Sequence, residues 1–130
     1  MKVQREKLNE GSGGDGIVTI REMIDALELT LVADSGALDD PWTGGYVSDL
    51  LSHVMGQAKS GQAWVTMQGH QNIVAVASLV GLGAVIIAGG IEPEEQTVAK
   101  AKAQEVVLCK TALSTYEVAG RLYQLGISGR

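Results

Sequence analysis

The chain has 130 residues, of which 45% are hydrophobic and 19% are charged. This length fits one domain that can bury roughly two thirds of its unfolded surface, so folding requires neither disulfides nor a metal. The net charge of −5 argues against nucleic acid and against an anionic membrane surface as partners, because both are bound through basic surfaces. Glycine, at 17 residues, is close to twice its usual frequency of about 7%.

The two ends of the chain differ in character. Residues 11–16 read Gly-Ser-Gly-Gly-Asp-Gly, a flexible-linker composition. We therefore expect a flexible tail over residues 1–16 and a single domain over residues 17–130. Residues 1–10 are charged and do not have the apolar stretch of a signal peptide. The lone Cys109 excludes an intramolecular disulfide and a cysteine metal cluster, and we expect a cytoplasmic location.

The first elements are predicted from local patterns. Thr19 followed by Glu22 has the spacing of a capping box, which predicts a helix over residues 20–27. Residues 29–32 have the composition of a short strand. Apolar residues then recur at helical spacing from Val47 onward, which predicts an amphipathic helix over residues 46–58.

The remainder of the chain repeats with a period. Apolar strands begin near Trp64, Val85 and Val106, 21 residues apart, and each is followed by a short loop and a helix. The strands are continuously apolar, as expected of a parallel sheet covered on both faces. The sequence predicts an α/β fold, a layered parallel-sheet domain of repeated βα units, with strands at 63–67, 84–88 and 106–109 and helices at 71–80, 93–104 and 112–125.

The longest uncharged run lies within this repeat. Residues 73–91 contain no charge, which is close to the length of a transmembrane helix. Four glycines interrupt the run and no Lys or Arg flanks it closely, so we expect a buried helix and a buried strand. The helix at 71–80 is apolar on all sides. Either a homodimer interface or the N-terminal part of the chain is expected to cover its outer face.

Ligands of parallel sheets bind where the strands end, close to helix N-termini. The loops that meet this description are residues 68–72, 89–90 and 111–115, and Thr43-Gly44-Gly45 is predicted to open a helix in the same way. His70 either contacts a ligand or caps the following helix. Asp49 and Glu117 are either site carboxylates or ordinary helix charges. The candidate ligand-binding residues are Thr43, Gly44, Gly45, Asp49, His70 and Asn72.

The sequence does not contain the motifs that are typical of catalytic sites. There is no Ser-His-Asp order, no metal-ligand spacing, no dinucleotide fingerprint and no phosphate loop. We therefore expect no catalytic residues and no metal site, and the cofactor is unknown. The least favoured alternative is an enzyme that uses His70 with Asp49 or Glu117. Cys109 ends a predicted buried strand and is expected to be a small core residue.

Several segments together carry a family resemblance. The sequence resembles the DRTGG domain family over residues 17–127, on the segments 43–51, 64–66, 70–77 and 114–122. That family occurs alone or fused to CBS-domain pyrophosphatases and phosphotransacetylases, and is similar to the N-terminal domain of HPr kinase/phosphorylase. The resemblance implies a non-enzymatic, self-associating α/β module that regulates or assembles.

The sequence departs from the family at the naming motif. Pro41-Trp42 stands where the family has Asp-Arg before Thr-Gly-Gly, which removes an anion-binding side chain. Trp42 is expected either to stack on a planar ligand or to pack into a partner surface. The expected function is ligand sensing by a homodimer that binds a small anionic or nucleotide-like ligand or a partner protein. The alternative is an interaction scaffold or an accessory protein of a redox or hydrogenase system.

Overall fold

The computed structural model describes residues 19–125, so the predicted tail at residues 1–16 lies outside the described residues. Helices and strands alternate along most of the described chain: α1 (Ile20–Leu27), β1 (Thr30–Ala33), β2 (Gly45–Val47), α2 (Leu51–Gln57), β3 (Ala63–Thr66), α3 (Asn72–Val80), β4 (Ala84–Ile87), α4 (Glu95–Ala103), β5 (Leu108–Lys110) and α5 (Thr115–Gln124).

The strands form one sheet in the order β1-β5-β4-β3-β2. The four strands β2 to β5 are parallel, and β1 pairs antiparallel with β5 at one edge. Trp64 pairs with Val85, and Val85 pairs with Leu108, so the repeat seen in the sequence corresponds to neighbouring strands. The predicted α/β fold with a layered, mostly parallel sheet is confirmed.

Helices cover both faces of the sheet. Because β2 to β5 are added in chain order and such crossovers are right-handed, α2, α3 and α4 lie on one face. Their buried residues pack with Trp64 and Val85 of the central strands. On the other face, α1 and α5 pack against the alternate strand residues, such as Val65 and Ile86. Both faces of β3 and β4 are buried, which explains their continuous apolar sequences.

The predicted start of α1 is confirmed. The Thr19 hydroxyl accepts a hydrogen bond from the Glu22 backbone N–H at 3.1 Å, and the Glu22 carboxylate accepts one from the Thr19 N–H at 3.0 Å. This capping box satisfies two of the backbone donors that a helix start leaves unpaired. Behind it, Ile20, Met23 and Leu27 are buried under the sheet.

The prediction of a single helix over residues 46–58 is wrong in its first part. Gly45–Val47 forms β2, which pairs in parallel with β3, and α2 begins only at Leu51. Backbone pairing along β3 outweighs the helical spacing, whose apolar residues do not form one buried stripe. Val54 is fully buried, whereas Leu50 is 62% exposed and Met55 is 51% exposed.

Within the described chain the helix at residues 71–80 is not buried on every side, and α1, which packs on the other face of the sheet, does not cover it, so the homodimer interface expected there stays a prediction. Ile73, Val74 and Val76 of α3 pack against the sheet, but Leu79 is 73% exposed. A helix in an outer layer shows one face to the sheet and one face away from it. Within residues 19–125, no helix combines the length and apolarity needed to cross a bilayer.

Candidate ligand-binding site at the carboxyl edge

Asp49 joins the loops that follow β2 and β3. Its Oδ1 accepts a hydrogen bond from the Thr66 hydroxyl at 2.6 Å and another from the Met67 backbone N–H at 2.8 Å. The Gln68 side-chain amide donates to the Asp49 carbonyl oxygen at 2.6 Å. An ionised carboxylate has more acceptor sites than these two bonds occupy, and Asp49 is exposed. Asp49 is therefore a positioned acceptor at the edge of the sheet where the parallel strands β2 to β5 end, which we call the carboxyl edge; the opposite edge, where these strands begin, is the amino edge.

His70 caps the start of α3. Its Nδ1 accepts a hydrogen bond from the backbone N–H of Asn72 at 3.2 Å. A neutral imidazole that accepts at Nδ1 carries its proton on Nε2, and the ring is exposed. Asn72 is exposed as well. The capping alternative for His70 is thus present in the structure, and it leaves Nε2–H as a donor toward an incoming group.

The loop containing His70 is held close to the start of α4. The Gly69 carbonyl accepts hydrogen bonds from the Thr97 hydroxyl at 2.6 Å and from the Glu94 backbone N–H at 3.0 Å. A Cβ at Gly69 would lie 2.9 Å from the Glu92 carbonyl oxygen, so only glycine fits this approach. Sequence reasoning did not anticipate Thr97, which is fully buried; a hydroxyl in the predicted helix at residues 93–104 was the available signal.

Gly89 and Gly90 use their backbone donors within the protein. Both have positive φ angles, +75° and +74°. The Gly89 N–H donates to the Leu113 carbonyl at 2.7 Å, and the Gly90 N–H donates to the Thr111 carbonyl at 3.0 Å. This pair therefore shapes the connection after β4 and does not hold its N–H groups open for an anion. Lys110 lies at the end of β5, where its ammonium pairs with Glu92 at 2.9 Å.

The candidate residues divide between two edges of the sheet. Thr43, Gly44 and Gly45 precede or begin β2, at the amino edge, whereas Asp49, His70 and Asn72 follow the strands at the carboxyl edge. The prediction that Thr43-Gly44-Gly45 opens a helix is wrong, because this segment leads into a strand.

At the amino edge, Thr43 belongs to a tight junction. Its N–H donates to the Gly61 carbonyl at 3.1 Å and its hydroxyl donates to the Ser60 carbonyl at 3.0 Å. Thr43, Ser60 and Gly61 also line a groove of about 290 Å³, together with Asp40 and Gly81. The two halves of the predicted set thus belong to separate surfaces.

Trp42 is a core residue, contrary to both alternatives expected for it. Its side chain is 3% exposed, and its indole N–H donates to the Gly44 carbonyl at 2.7 Å. It packs in the cluster formed by α1, α5 and the sheet. A buried indole that has found its hydrogen-bond partner stacks on neither a ligand nor a partner.

The described residues offer little support for an enzyme that uses His70 with Asp49 or Glu117. Glu117 lies on α5, where it pairs with Arg121 at 3.6 Å. Within residues 19–125, no hydrogen bond joins Asp49 to His70, and no cluster of three or more His, Cys, Asp or Glu has an arrangement suited to a metal. Burial raises the pKa of the Cys109 thiol to about 12, so this cysteine is a protonated core residue at neutral pH.

Comparison with known proteins places the fold. No family model matches the chain, and no curated protein matches it. Among solved structures, it is similar to the CBS and DRTGG domains of the regulatory region of Clostridium perfringens pyrophosphatase, complexed with the activator diadenosine tetraphosphate. The TM-score is 0.67 at 14% identity, over 82% of this chain and 46% of that chain. This likeness supports the DRTGG-like fold.

Proposed function

We propose that this chain is a non-enzymatic regulatory module that senses a small anionic or nucleotide-like ligand, acting as a homodimer in the cytoplasm. The observation that carries the proposal is the fold it shares with a pyrophosphatase regulatory region that was crystallised with a nucleotide activator. Because one fold hosts different functions, ligand sensing also requires a binding site in this chain. We place the candidate site at the carboxyl edge.

The ligand contacts are assigned to Asp49, His70 and Asn72. The first turn of α3 favours an anionic group, since helix N-termini present N–H donors and a partial positive charge. His70 now occupies the Asn72 N–H. A ligand anion takes that N–H by displacing the ring, while the Nε2–H of His70 donates to it. Asp49 accepts from a hydroxyl, such as that of a ribose, through its remaining acceptor sites.

Thr43, Gly44 and Gly45 form a second candidate set. Thr43 lies with Asp40 at the groove of about 290 Å³ on the amino edge, and Gly44 and Gly45 lead from there into β2. Most of their polar groups are used internally, as the bonds from Thr43 to Ser60 and Gly61 illustrate. We therefore assign the main ligand contacts to the carboxyl edge and use the amino edge as the comparison.

A thermal-shift titration tests this assignment. Mono-, di- and polyphosphate nucleotides are compared with inorganic phosphate, because ligand at about 100 times its Kd stabilises the folded state by about 2.7 kcal/mol. Asp49→Asn retains the acceptor oxygen for Thr66 and Met67 while removing the charge. Asp49→Asn, which loses carboxylate acceptor sites, and Asn72→Ala, which keeps the backbone N–H but removes the exposed side-chain amide assigned to the ligand, are expected to reduce the nucleotide shift.

Thr43→Ala at the opposite edge is the matched control and is expected to leave the shift unchanged. If Thr43→Ala abolishes the shift and the carboxyl-edge variants do not, the ligand belongs to the amino-edge groove. If no nucleotide shifts the transition, the nucleotide-sensing proposal is wrong.

A second candidate function is that of an interaction scaffold. It is favoured by apolar side chains that are exposed around the same carboxyl edge: Val47 is 49% exposed, Leu50 62%, Met67 43% and Ile91 37%. Exposed apolar groups gathered in one region are typical of protein interfaces. An accessory role in a redox or hydrogenase system is the form of this function that the family resemblance suggests.

Leu50→Ser separates the two functions. It removes a large exposed apolar side chain without adding a charge beside Asp49, and it leaves Asp49, His70 and Asn72 intact. Under the scaffold hypothesis, it abolishes capture of a purified partner protein without changing a nucleotide-induced shift. Under ligand sensing alone, it changes neither measurement.

A further inference from the structure

The outer face of α5 has two features that contacts among residues 19–125 do not explain. Tyr116 is 86% exposed and Tyr123 is 68% exposed. They lie seven residues apart, which places them on the same side of the helix, with Gly120 between them. Tyrosine is enriched in protein interfaces, where its ring contributes a large contact area and its hydroxyl remains polar.

Gly120 lies in the interior of α5, where glycine is the least favourable residue after proline. No atom of the described residues lies within 4 Å of the position that a Cβ would occupy there, and its φ angle is not positive. Packing and backbone conformation within the described chain therefore do not require glycine at this position. A second helix crossing at Gly120 would require it, because small residues let helix axes approach closely.

The surroundings of Gly120 suit a second copy of this chain. Beside it, a groove of about 520 Å³ runs between α5 and α1, where Ala26 and Leu27 form the other wall. Among the described residues, the charged ones that line this groove are Glu117 and Arg121, one of each sign. Two copies of a chain with a net charge of −5 can therefore meet here without repulsion between the lining charges.

The order of these two charges also fits a particular symmetry. Glu117 and Arg121 are one turn apart on the same flank of α5, 3.6 Å from each other. In an antiparallel pair related by a two-fold axis, equal flanks face each other and the residue order is reversed. Glu117 of each copy then lies opposite Arg121 of the other, and Tyr116 lies next to Tyr123.

We propose that two copies of this chain associate through α5, antiparallel about a two-fold axis that passes close to Gly120. In this dimer the tyrosines flank the crossing point, and the groove between α5 and α1 receives the partner's α5. The two ion pairs across the axis determine the antiparallel register. This interface rests on the homodimer part of the proposed function.

Sedimentation velocity of the full chain over a micromolar concentration series tests the interface. Gly120→Lys clashes with none of residues 19–125 at its Cβ, and is expected to weaken association at least about tenfold by filling the crossing point. Glu117→Arg and Arg121→Glu each place like charges opposite one another and should weaken it similarly. The double variant Glu117→Arg/Arg121→Glu restores opposite charges and should recover association.

Leu79→Ser is the control, because Leu79 on α3 is a highly exposed leucine on the other helical layer. It should leave association unchanged, and circular dichroism checks that every variant is folded. A monomeric wild type would refute both this interface and the homodimer, while ligand sensing is read separately from the nucleotide thermal shift. A dimer that survives the α5 variants but is lost in Leu79→Ser would refute the α5 interface and retain the homodimer. Failure of the charge swap to recover association would refute the antiparallel register.

Discussion

Gly83→Ala is expected to destabilise the protein at the junction of three elements. Gly83 immediately precedes β4, and its N–H donates to the Gln62 carbonyl at 2.9 Å. A Cβ at this position would lie 2.6 Å from the Cδ1 of Ile20 and 2.7 Å from the carbonyl oxygen of Gly61. The end of the Ile20 side chain can move, but the Gly61 carbonyl is held by the N–H of Thr43 at 3.1 Å.

The magnitude follows from these contacts. Overpacking that forces backbone to shift costs roughly 1–3 kcal/mol. Alanine offsets about 0.4–1 kcal/mol of this by restricting the unfolded chain. We place Gly83→Ala in the upper part of the range, because one of the two close atoms is backbone. The expected loss in the free energy of unfolding is about 2 kcal/mol, a substantial part of the 5–15 kcal/mol typical of a domain.

Urea unfolding followed by tryptophan fluorescence measures this loss. Trp42 and Trp64 are 3% and 0% exposed, so both report on loss of the core. Gly56→Ala is the matched control, since Gly56 lies in α2 and no atom of residues 19–125 is within 4 Å of its Cβ position. Helix propensity predicts that Gly56→Ala stabilises by up to about 1 kcal/mol. Equal stability of Gly83→Ala and the wild type would refute the packing argument.

Three further predictions concern individual contacts. Thr19→Ala removes the capping hydroxyl from Glu22 and should lower the free energy of unfolding by about 0.5–2 kcal/mol; an unchanged urea midpoint would contradict it. The hydrogen bond from Arg21, together with its charge, lowers the pKa of Asp39. The stabilisation from this pair is therefore present at neutral pH and lost as the pH falls through the lowered pKa, and Arg21→Ala should return the NMR-measured pKa of Asp39 toward its ordinary value. The Cys109 thiol, with a pKa of about 12, should resist alkylation at pH 8 until the protein unfolds, and rapid labelling of folded protein would show that the thiol is accessible.

Local patterns predicted the elements that depend on local physics. The capping box at Thr19 and Glu22 predicted α1 with its observed bounds, because cap bonds form between residues three apart. The 21-residue spacing of apolar strands predicted the parallel sheet, since strands buried on both faces are continuously apolar. The same reasoning predicted the fold class that the solved neighbour supports.

Backbone pairing between strands that are distant in the sequence determined the features that local patterns did not predict. Residues 46–47 begin the predicted helix, yet with Gly45 they form a strand because β3 offers backbone partners 18 residues further along. The same pairing places Thr43 at the amino edge and Asp49 at the carboxyl edge, although only six positions separate them.

The many glycines of the chain likewise occupy their positions for different physical reasons. The chain contains 17 glycines, and the sequence showed that many of them separate the βα units. Only the tertiary structure showed that Gly69 and Gly83 admit no Cβ because other backbone lies against them, and that Gly120 has open space on the outer face of α5. Steric reasons of this kind arise from distant contacts, so the sequence determined where the glycines lie and the packing decided what each one does.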